Sequence, residues 1–386
     1  MKKLHFIWPS KIYKYEDKYY ISRPHFYNEM SSQFNFTLYA SVKEVEKIDK
    51  KKFLPLKNDV KVIDFFRELS LKNFFKNFFL YRKKLKELPK EDYYFILYPY
   101  RRLGPFLATL LRKKNLIVWV MTDPVNIYKN NPFKIWGYSL KALKKVILAP
   151  LISLIYIIVS KILFRNNLIF YTSNTTINRD NHINQHEIIA CSPFNRDRSL
   201  ANKELTGNVT FVGDESSQKG LHILLRTLSC NKFDFNKNLK LNIIGVEEIT
   251  QNRNRKLLKE IDYKIHGKIY KRDLFYQKLS KADILVMSSF GEKQGKVQLE
   301  AMSVGVVPIC SDSGGTFKTV KNYYNGLLFK EGDYKELRRK INLLYQNEEL
   351  YQNLQKNGLK YIKGLSLENQ VQIMSDIIKN YYNIRV

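Results

Sequence analysis

The sequence predicts an α/β protein made of two Rossmann-like, doubly wound domains. The chain has 386 residues, more than one hydrophobic core usually serves, and 44% of them are hydrophobic. Short β-rich runs alternate with helical patterns in both halves, an order that favours parallel strands joined by crossover helices. A polar stretch without periodicity, 193–208, lies between the two alternating regions and is interpreted as the interdomain linker.

In the first half, the predicted strands are short runs rich in β-branched and aromatic residues. They cover 4–8, 36–41, 60–65, 93–98, 115–123, 168–173 and 188–192. The spacing of apolar residues predicts helices over 74–88, about 104–113 and about 141–164. The segment 11–20 is polar and is assigned to no predicted element.

In the second half, the alternation is clearer. Strands are predicted over 208–214, 240–245, 263–269, 283–289 and 306–312. Helices are predicted over 219–229, up to about 262, 273–281, 297–305, 335–361 and 367–383. Both halves therefore have the same kind of architecture, although no internal sequence repeat is evident.

The net charge of +30 indicates an anionic partner or substrate. Residues 1–170 hold 33 of the 66 Lys and Arg but only 13 of the 36 Asp and Glu, so the excess lies mainly there. Nucleic acid, anionic lipid, a phosphorylated substrate and a lysine-rich surface without a specific role all fit this charge. The three cysteines are far apart and odd in number, which favours a reducing compartment over secretion.

One stretch has the composition of a membrane-associated segment. Residues 146–160 carry no charge, are flanked by lysine and arginine, and contain Pro150. Fifteen residues fall short of the roughly 20 that a spanning helix needs. An interfacial helix, a buried core helix and a membrane span all stay open for this segment. The chain opens with MKK before a strand-like run, so we expect no signal peptide.

Three strand-to-helix turns in the second half are candidates for ligand binding, because ligands of open α/β sheets bind beyond the carboxyl ends of the strands. The first is 212–220, where Gly213 permits a turn and Lys219 opens a helix. The second is 288–305, where Glu292 lies in the loop and Glu300 interrupts an apolar helix. The third, 311–320, contains two consecutive glycines. A carboxylate in a helix as apolar as that of Glu300 needs polar partners, such as the hydroxyls of a ligand.

The sequence from Glu292 to Gly315 resembles the donor-binding signature of retaining GT-B glycosyltransferases of family 4. That signature has two glutamates in the spacing E-x7-E, here Glu292 and Glu300. It continues as E-A-M-x-x-G-x-x-P-x-x-S-x-x-G-G, matched by Ala301, Met302, Gly305, Pro308, Ser311, Gly314 and Gly315. The resemblance covers about 208–365 and is faint in the first 190 residues.

The resemblance implies a GT-B fold, in which two Rossmann-like domains face a central cleft. The first domain, 1–195, would lie on the acceptor and membrane side and be completed by a returning C-terminal helix at 366–386. The second domain, 200–365, would bind a nucleotide-sugar donor such as a UDP- or GDP-sugar. The reaction would retain the anomeric configuration and require no metal, in line with the absence of a D-x-D motif from the sequence.

Individual roles follow from the same resemblance. Glu300 would bind the ribose hydroxyls and Lys219 the diphosphate. Glu292 would bind a hydroxyl of the transferred sugar and is a candidate catalytic residue. Gly295 would allow backbone contacts to sugar and phosphate. The complete set of implied donor-binding residues is Lys219, Gly213, Gln294, Gly295, Lys296, Val297 and Glu300.

The chain departs from the family pattern at two positions. Asp214 stands where family members often carry an arginine that contacts phosphate, so Lys219 and Lys296 would have to cover that charge. Thr122 stands where many members carry a catalytic-site histidine, which leaves Asp123 as the nearest candidate catalytic residue, or as a loop-capping residue before Pro124. The six histidines have no spacing typical of metal ligands, and no metal site is predicted.

The sequence thus favours a cytoplasmic glycosyltransferase, peripheral at the inner face of the plasma membrane. Its acceptor would be a lipid-linked saccharide or a cell-surface polysaccharide of the lipopolysaccharide or capsule type. A GT-B nucleotide-sugar isomerase or a non-catalytic GT-B subunit is the alternative, suggested by Asp214 and the missing histidine. A basic nucleic-acid-binding protein is a remote alternative, because no nucleic-acid module is recognisable and the signature at 292–315 would have no role.

Overall fold

The computed structural model describes residues 3–22, 24–50, 52–66, 76–98, 115–120, 154, 167–171, 185–187, 204–229, 233–235, 237–292, 295–313 and 315–382. These residues form two compact units. The first contains the described residues of Met1–Tyr128, Leu148–Ile188 and Leu367–Val386, and the second contains those of Ile189–Ser366.

The first unit is built on a mixed sheet. Its strands are β1 (Leu4–Tyr15), β2 (Lys18–Ile21), β3 (Phe36–Glu44), β4 (Leu54–Pro55), β5 (Lys61–Asp64), β6 (Tyr93–Tyr98), β7 (Asn115–Val120), β8 (Leu168–Tyr171) and β9 (Gln185–Glu187). Seven of them run parallel in the order β5-β3-β1-β6-β7-β8-β9. The described helices beside this sheet are α1 (His25–Gln33) and α2 (Phe78–Glu87).

The segment 11–20, which shows no pattern in the sequence, is the second half of a long strand and part of a hairpin. β1 continues to Tyr15, and β2 pairs with it antiparallel, Tyr15 opposite Lys18. Glu16 and Asp17 form the turn with φ of 46° and 57°. Tyrosines on both strands give the segment its β preference, which its charged residues conceal in a hydropathy pattern.

The second unit contains a six-stranded parallel sheet. Its strands are β10 (Asn208–Val212), β11 (Lys240–Ile244), β12 (Asp262–Ile265), β13 (Ile284–Met287), β14 (Val307–Asp312) and β15 (Leu327–Lys330). They lie in the order β12-β11-β10-β13-β14-β15, which is the Rossmann order 3-2-1-4-5-6. The fold prediction is confirmed for this sheet strand by strand, and β15 is an addition to it.

The helices of the second unit are α3 (Leu221–Leu228), α4 (Asn252–Leu258), α5 (Arg272–Leu279), α6 (Val297–Met302), α7 (Thr316–Thr319), α8 (Tyr334–Gln346) and α9 (Glu348–Lys363). The single helix expected over 335–361 is two helices. Asn347 ends α8, and its side chain accepts a hydrogen bond from the N–H of Leu350 at 2.9 Å to begin α9. This is the preferred N-cap chemistry of asparagine.

The last helix, α10 (Leu367–Tyr382), belongs to the first unit. The Tyr382 hydroxyl donates to the carbonyl of Leu116 on β7 at 3.1 Å. The Tyr382 ring lies 4.5 Å from that of Tyr93, and the Lys379 ammonium lies 5.7 Å from the ring of Phe34, just after α1. The chain therefore leaves the first unit after β9 and comes back to it at the end.

Two predicted helices and one strand, at 104–113, 141–164 and 188–192, lie almost wholly outside the described residues. Of 146–160 the structure describes Leu154, which is exposed. Among the described residues, no helix combines the length and the apolar run that crossing a bilayer requires. An interfacial helix, a buried core helix and a membrane span therefore all stay open for 146–160.

Candidate functional site

The second sheet has a topological switch point between β10 and β13. Strand order reverses there, because β10 continues on one side to β11 and β12 and β13 continues on the other to β14 and β15. Crossover helices leave to opposite faces at such a point and open a crevice beyond the carboxyl ends of the two strands. The first two turns that the sequence singled out follow these two strands.

The turns after β10 and β13 are joined by backbone contacts that require glycine. Gly220 has φ +70°, and a Cβ at this position would lie 1.9 Å from the carbonyl oxygen of Ser288. In return the Ser288 hydroxyl donates to the Gly220 carbonyl at 2.8 Å. The N–H of Phe290 donates to the carbonyl of Gln218 at 2.7 Å. Any side chain at 220 would force the two turns apart.

Lys219 and Glu292 form an ion pair across the joined turns. The Lys219 Nζ lies 3.0 Å from Glu292 Oε2. The Glu292 side chain is 17% exposed and that of Lys219 35% exposed, so the pair is accessible from solvent on the lysine side. Gly213, at the start of the first turn, extends the β10–β11 ladder by donating its N–H to the carbonyl of Ile244 at 2.9 Å.

The third turn fixes the backbone of Glu292. The Glu292 N–H donates to the Ser313 hydroxyl at 3.3 Å, and the Glu292 carbonyl accepts from the N–H of Gly315 at 2.8 Å. The Ser313 hydroxyl also donates to the carbonyl of Ser289 at 3.1 Å. All three turns predicted from the sequence thus meet at Glu292.

The short helix α6 carries the second carboxylate of the spacing. Gly295 precedes it with φ +68°, Lys296 occupies its N-cap position and Val297 is its first residue. Glu300 follows one turn later, its side chain only 11% exposed among buried apolar neighbours on the same helix.

Arg272, which the sequence did not point to, meets Glu300 from the start of α5. One guanidinium nitrogen of Arg272 lies 3.4 Å from Glu300 Oε1 and donates to the Tyr276 hydroxyl at 2.6 Å. Burial, followed by the Glu300 carboxylate, raises the pKa of Tyr276 to about 12, so the phenol keeps its proton. The Arg272–Tyr276 spacing of one helical turn is visible in the sequence, but no pattern links it to a glutamate 28 residues away.

Asp214 and His222, in and just after the first turn, have local contacts that the sequence did not predict. The Asp214 carboxylate accepts from the N–H of Ser216 at 2.9 Å, so its local role is to close the turn. The His222 ring stacks on Phe290, with centroids 5.9 Å apart. Burial, assisted by Arg253, lowers the pKa of His222 to about 4, and the ring is neutral at pH 7.

Other predicted site residues lie outside the described residues, namely Gln294, Gly314, Thr122 and Asp123. In the part of the chain that the structure describes, no three His, Cys, Asp or Glu side chains are grouped as metal ligands would be.

Residues 195–361 match the family model described as glycosyl transferases group 1. The chain is 33% identical over 106 residues to an N,N'-diacetylbacillosaminyl-diphospho-undecaprenol alpha-1,3-N-acetylgalactosaminyltransferase of Campylobacter jejuni, covering 26% of this chain and 28% of that protein. It is 27% identical over 189 residues to the capsular polysaccharide biosynthesis glycosyltransferase CapM of Staphylococcus aureus, covering 45% of each. The matched stretches thus span less than half the length of these relatives.

The likeness to solved structures extends over the whole chain. A sucrose-phosphate synthase of Thermosynechococcus elongatus superposes with a TM-score of 0.69 at 15% identity, covering 99% of this chain and 100% of that one. HepE of Anabaena, solved in complex with UDP, superposes with a TM-score of 0.66 at 14% identity, covering 98% and 100%. The GT-B fold is therefore confirmed, and the match to the glycosyl transferases group 1 model lies within the second unit. Assignment to family 4 and to the E-x7-E motif stays a prediction.

Proposed function

We propose that this protein is a retaining glycosyltransferase that moves a sugar from a nucleotide-sugar donor to a lipid-linked saccharide or cell-surface polysaccharide. One observation carries the proposal: three strand-to-helix turns meet at the switch point of the second sheet and bring Lys219 within 3.0 Å of Glu292. A cation beside a carboxylate is suited to a ligand with both a diphosphate and hydroxyl groups. Relatives named for undecaprenol-linked and capsular substrates support the acceptor class.

The Lys219 ammonium binds the diphosphate in this proposal. Its side chain is a third exposed and is paired with the side chain of Glu292, so it can turn from Glu292 to a phosphate oxygen. When the bond between the anomeric carbon and the diphosphate oxygen breaks, its electron pair leaves with the diphosphate. Lys219 stabilises that developing charge, and the acceptor hydroxyl forms the new bond to the anomeric carbon while its proton passes to the departing diphosphate oxygen.

The two glutamates bind hydroxyl groups at opposite ends of the diphosphate. Glu300 accepts from the ribose, and its carboxylate is paired with Arg272, which also donates to the Tyr276 hydroxyl. Glu292, released from Lys219, accepts from the transferred sugar. The backbone around Gln294, Gly295, Lys296 and Val297 contacts sugar and phosphate, and Gly213 lines the first turn. In the first unit, Asp123 is the proposed catalytic-site residue.

The protein would act at the cytoplasmic face of the plasma membrane. The first unit would receive the acceptor and lie against an anionic lipid surface, as the positive charge of residues 1–170 suggests. The second unit would bind the donor. The reaction would proceed without a metal, because Lys219 and the helix N-termini supply the positive charge.

The test is incubation of the full chain with a panel of UDP- and GDP-sugars, with and without undecaprenol-linked saccharides. We expect nucleoside diphosphate release that depends on the acceptor, persists in chelator and gives a product of retained configuration. Glu300→Gln and Glu292→Gln should lower turnover, whereas Glu349→Gln, the same change at an exposed glutamate of α9, should not. Donor binding without any transfer would instead establish a non-catalytic subunit, and conversion of the donor to an isomer would establish an isomerase.

A further inference from the structure

The outward face of α2 exposes two adjacent apolar side chains. Phe79 is 77% exposed, more than any other large hydrophobic side chain in the part of the chain that the structure describes. Leu80 beside it is 36% exposed. Single exposed apolar side chains are common on protein surfaces, so the chemistry of the surrounding face decides what this one contacts.

The helix is held firmly by its other face. Tyr81 and Leu85 are buried in the core of the first unit. The Tyr81 ring lies 5.5 Å from that of Phe66 and 6.2 Å from that of Phe65. Rotation of α2 to bury Phe79 would expose Tyr81, so the exposure of Phe79 is fixed by the fold.

Exposed cations surround Phe79 on the same helical face. Arg82, Lys83 and Lys86 are all exposed and lie three, four and seven residues after it, within one or two turns, and the exposed Lys76 lies just before the helix begins. From residue 76 to 86 the sequence has five cations and no carboxylate, and the first acidic residue is Glu87. The face therefore combines an apolar centre with a positively charged rim.

We propose that α2 is a membrane-docking helix, which seats Phe79 and Leu80 at the acyl boundary of an anionic bilayer while the surrounding lysines and Arg82 bind lipid headgroups. Long cationic side chains can extend from an interfacial helix to the headgroups while their aliphatic stems stay in apolar surroundings. Charge complementarity selects anionic over neutral lipid.

Single-stranded nucleic acid fits this surface less well. Its recognition uses a positively charged groove lined by successive aromatic rings on which bases stack. Here the outward face of a single helix presents one ring, because the Phe78 ring 5.7 Å from it packs partly buried against the core. Leu80, on the other side of Phe79 in the sequence, offers no stacking surface. Flanking tyrosine Tyr81 points into the core.

This inference rests on the membrane association of the proposed function. It assigns that association to a defined helix, where the proposed function relied on the overall positive charge of residues 1–170. It rests on described residues, unlike the segment 141–165, which lies outside them apart from Leu154. Its readout is vesicle binding, which needs neither donor nor acceptor. Glycosyl transfer and membrane docking can therefore fail independently.

The test is flotation of the full chain with vesicles of phosphatidylcholine, with and without phosphatidylglycerol. We expect binding only to the anionic vesicles, weakened by salt. Phe79→Ala should weaken it about tenfold, because truncation of the ring removes most of its apolar contact. The matched control is Phe317→Ala, at a phenylalanine of α7 that is also exposed, and it should bind as the parent does.

Charge neutralisation is the second arm. Lys83→Gln with Lys86→Gln should weaken binding to anionic vesicles by about 25-fold at low salt, roughly fivefold for each lysine. Lys256→Gln with Lys259→Gln, at exposed lysines of and after α4, should leave it unchanged. All variants change exposed positions, and an unaltered melting temperature checks their folding.

Fluorescence locates the contact. Phe79→Trp should shift its emission to the blue when anionic vesicles are added, and Phe317→Trp should not. The proposal is overturned if the parent ignores anionic vesicles, or if it binds them equally well after Phe79→Ala and after loss of both lysines. Loss of binding only after Lys144→Gln with Lys145→Gln would assign docking to 141–165 instead. Preferential binding of single-stranded RNA would also overturn it.

Discussion

The two ends of the second sheet hold carboxylates with opposite kinds of partners. At the amino end, before β13, Asp283 has no exposed surface. It accepts from the backbone N–H groups of Thr206, Gly207 and Asn208 at 2.8, 2.6 and 2.8 Å. The Tyr345 hydroxyl adds a further hydrogen bond at 3.1 Å. Every one of these donors is fixed by the fold, so Asp283 ties the start of β10 to β13.

At the carboxyl end, Glu292 and Glu300 face cations on flexible side chains. Lys219 and Arg272 are each about a third exposed, at 35% and 36%. A ligand can displace such partners without unfolding anything, whereas displacing backbone donors breaks the sheet. The comparison shows how a structural carboxylate differs from one available to a ligand: by the mobility of its donors more than by its burial.

The largest expected effect is a loss of stability on substitution of Asp283. Asp283→Asn would turn an amide N–H₂ or a neutral oxygen toward three backbone N–H groups. Hydrogen bonds to a charged acceptor contribute about 1.5–3 kcal/mol each, so we expect the free energy of unfolding to fall by roughly 3 kcal/mol or more. Hydrogen exchange of peptides covering β10 and β13 measures this loss of stability.

The matched control is Asp262→Asn, which removes a carboxylate whose ion pair with Lys240, at 3.5 Å, is exposed. Exposed pairs contribute about 0–1 kcal/mol, so little change is expected. Donor affinity should be the same in folded Asp283→Asn as in the parent. Equal stability of the two variants would contradict the structural assignment of Asp283.

The second largest expected effect is a loss of nucleotide affinity on substitution of Glu300. Glu300→Gln keeps the shape of the side chain and exchanges a charge-assisted acceptor for a weaker one. Loss of one such hydrogen bond costs roughly 1.5–3 kcal/mol, or about 10- to 150-fold in nucleotide affinity. Calorimetric titration with nucleoside diphosphates measures it, with Glu349→Gln as the control.

Substitution of Arg272 tests whether this residue positions Glu300 for nucleotide binding. If it positions Glu300, then Arg272→Gln should weaken nucleotide binding in the parent and have a smaller effect in the Glu300→Gln background, because coupled residues are not additive. Arg272→Lys should rescue only part of the loss, since lysine lacks the planar fork. Equal losses in both backgrounds would mean that Arg272 acts independently of Glu300.

The sequence was most informative where local pattern and topology coincide. Continuous apolar strands such as Ile284–Met287 and helical spacing in 219–229 predicted the second sheet, because parallel strands buried on both faces have few alternatives. The spacing from Glu292 to Gly315 predicted which turns carry polar chemistry. That these turns meet follows from parallel strands, whose carboxyl ends share one edge.

The parts that could not be predicted depend on distant partners. Nothing in 272–276 indicates that Arg272 lies beside Glu300, because that contact is set by how α5 and α6 pack on the sheet. Asp214 suggested a lost phosphate contact, and only the fold gives it a role in the turn. The hairpin at 11–20 was missed because its tyrosines and charges show neither helical nor strand periodicity.

A smaller effect concerns stability and pH at Glu215, in the first turn. Burial would raise the pKa of this carboxyl, but hydrogen bonds from Thr250, Asn254 and Gln251 outweigh it and hold the pKa below the usual 4.5. Its contribution is therefore present above pH 4.5 and is lost as pH falls through the lower folded value. Since Glu215 caps the start of α4, Glu215→Gln should cost on the order of 1 kcal/mol at neutral pH.

Urea unfolding at neutral pH and in acid measures this difference, which should shrink as the pH falls because the folded carboxyl then takes up a proton. Glu46→Gln, at an exposed glutamate outside the helices and strands, serves as the control and should match the parent at both pH values. A difference between Glu215→Gln and the parent that grows in acid would contradict the stabilising role of the charged carboxylate.

The smallest expected effect is tighter binding of nucleoside diphosphate after substitution of Glu292. Without donor, Glu292 occupies the Lys219 ammonium that the diphosphate needs, at 3.0 Å. Partly exposed ion pairs contribute roughly 0.5–1 kcal/mol, so Glu292→Gln should tighten nucleoside diphosphate binding by about two- to fivefold while turnover falls. The free nucleoside, which has no phosphate, should bind both proteins equally. Lys219→Met should weaken diphosphate binding, and adding Glu292→Gln to it should bring no tightening, because the competed cation is gone. Weaker diphosphate binding by Glu292→Gln alone would mean that Glu292 orients Lys219 toward the ligand and does not compete with it.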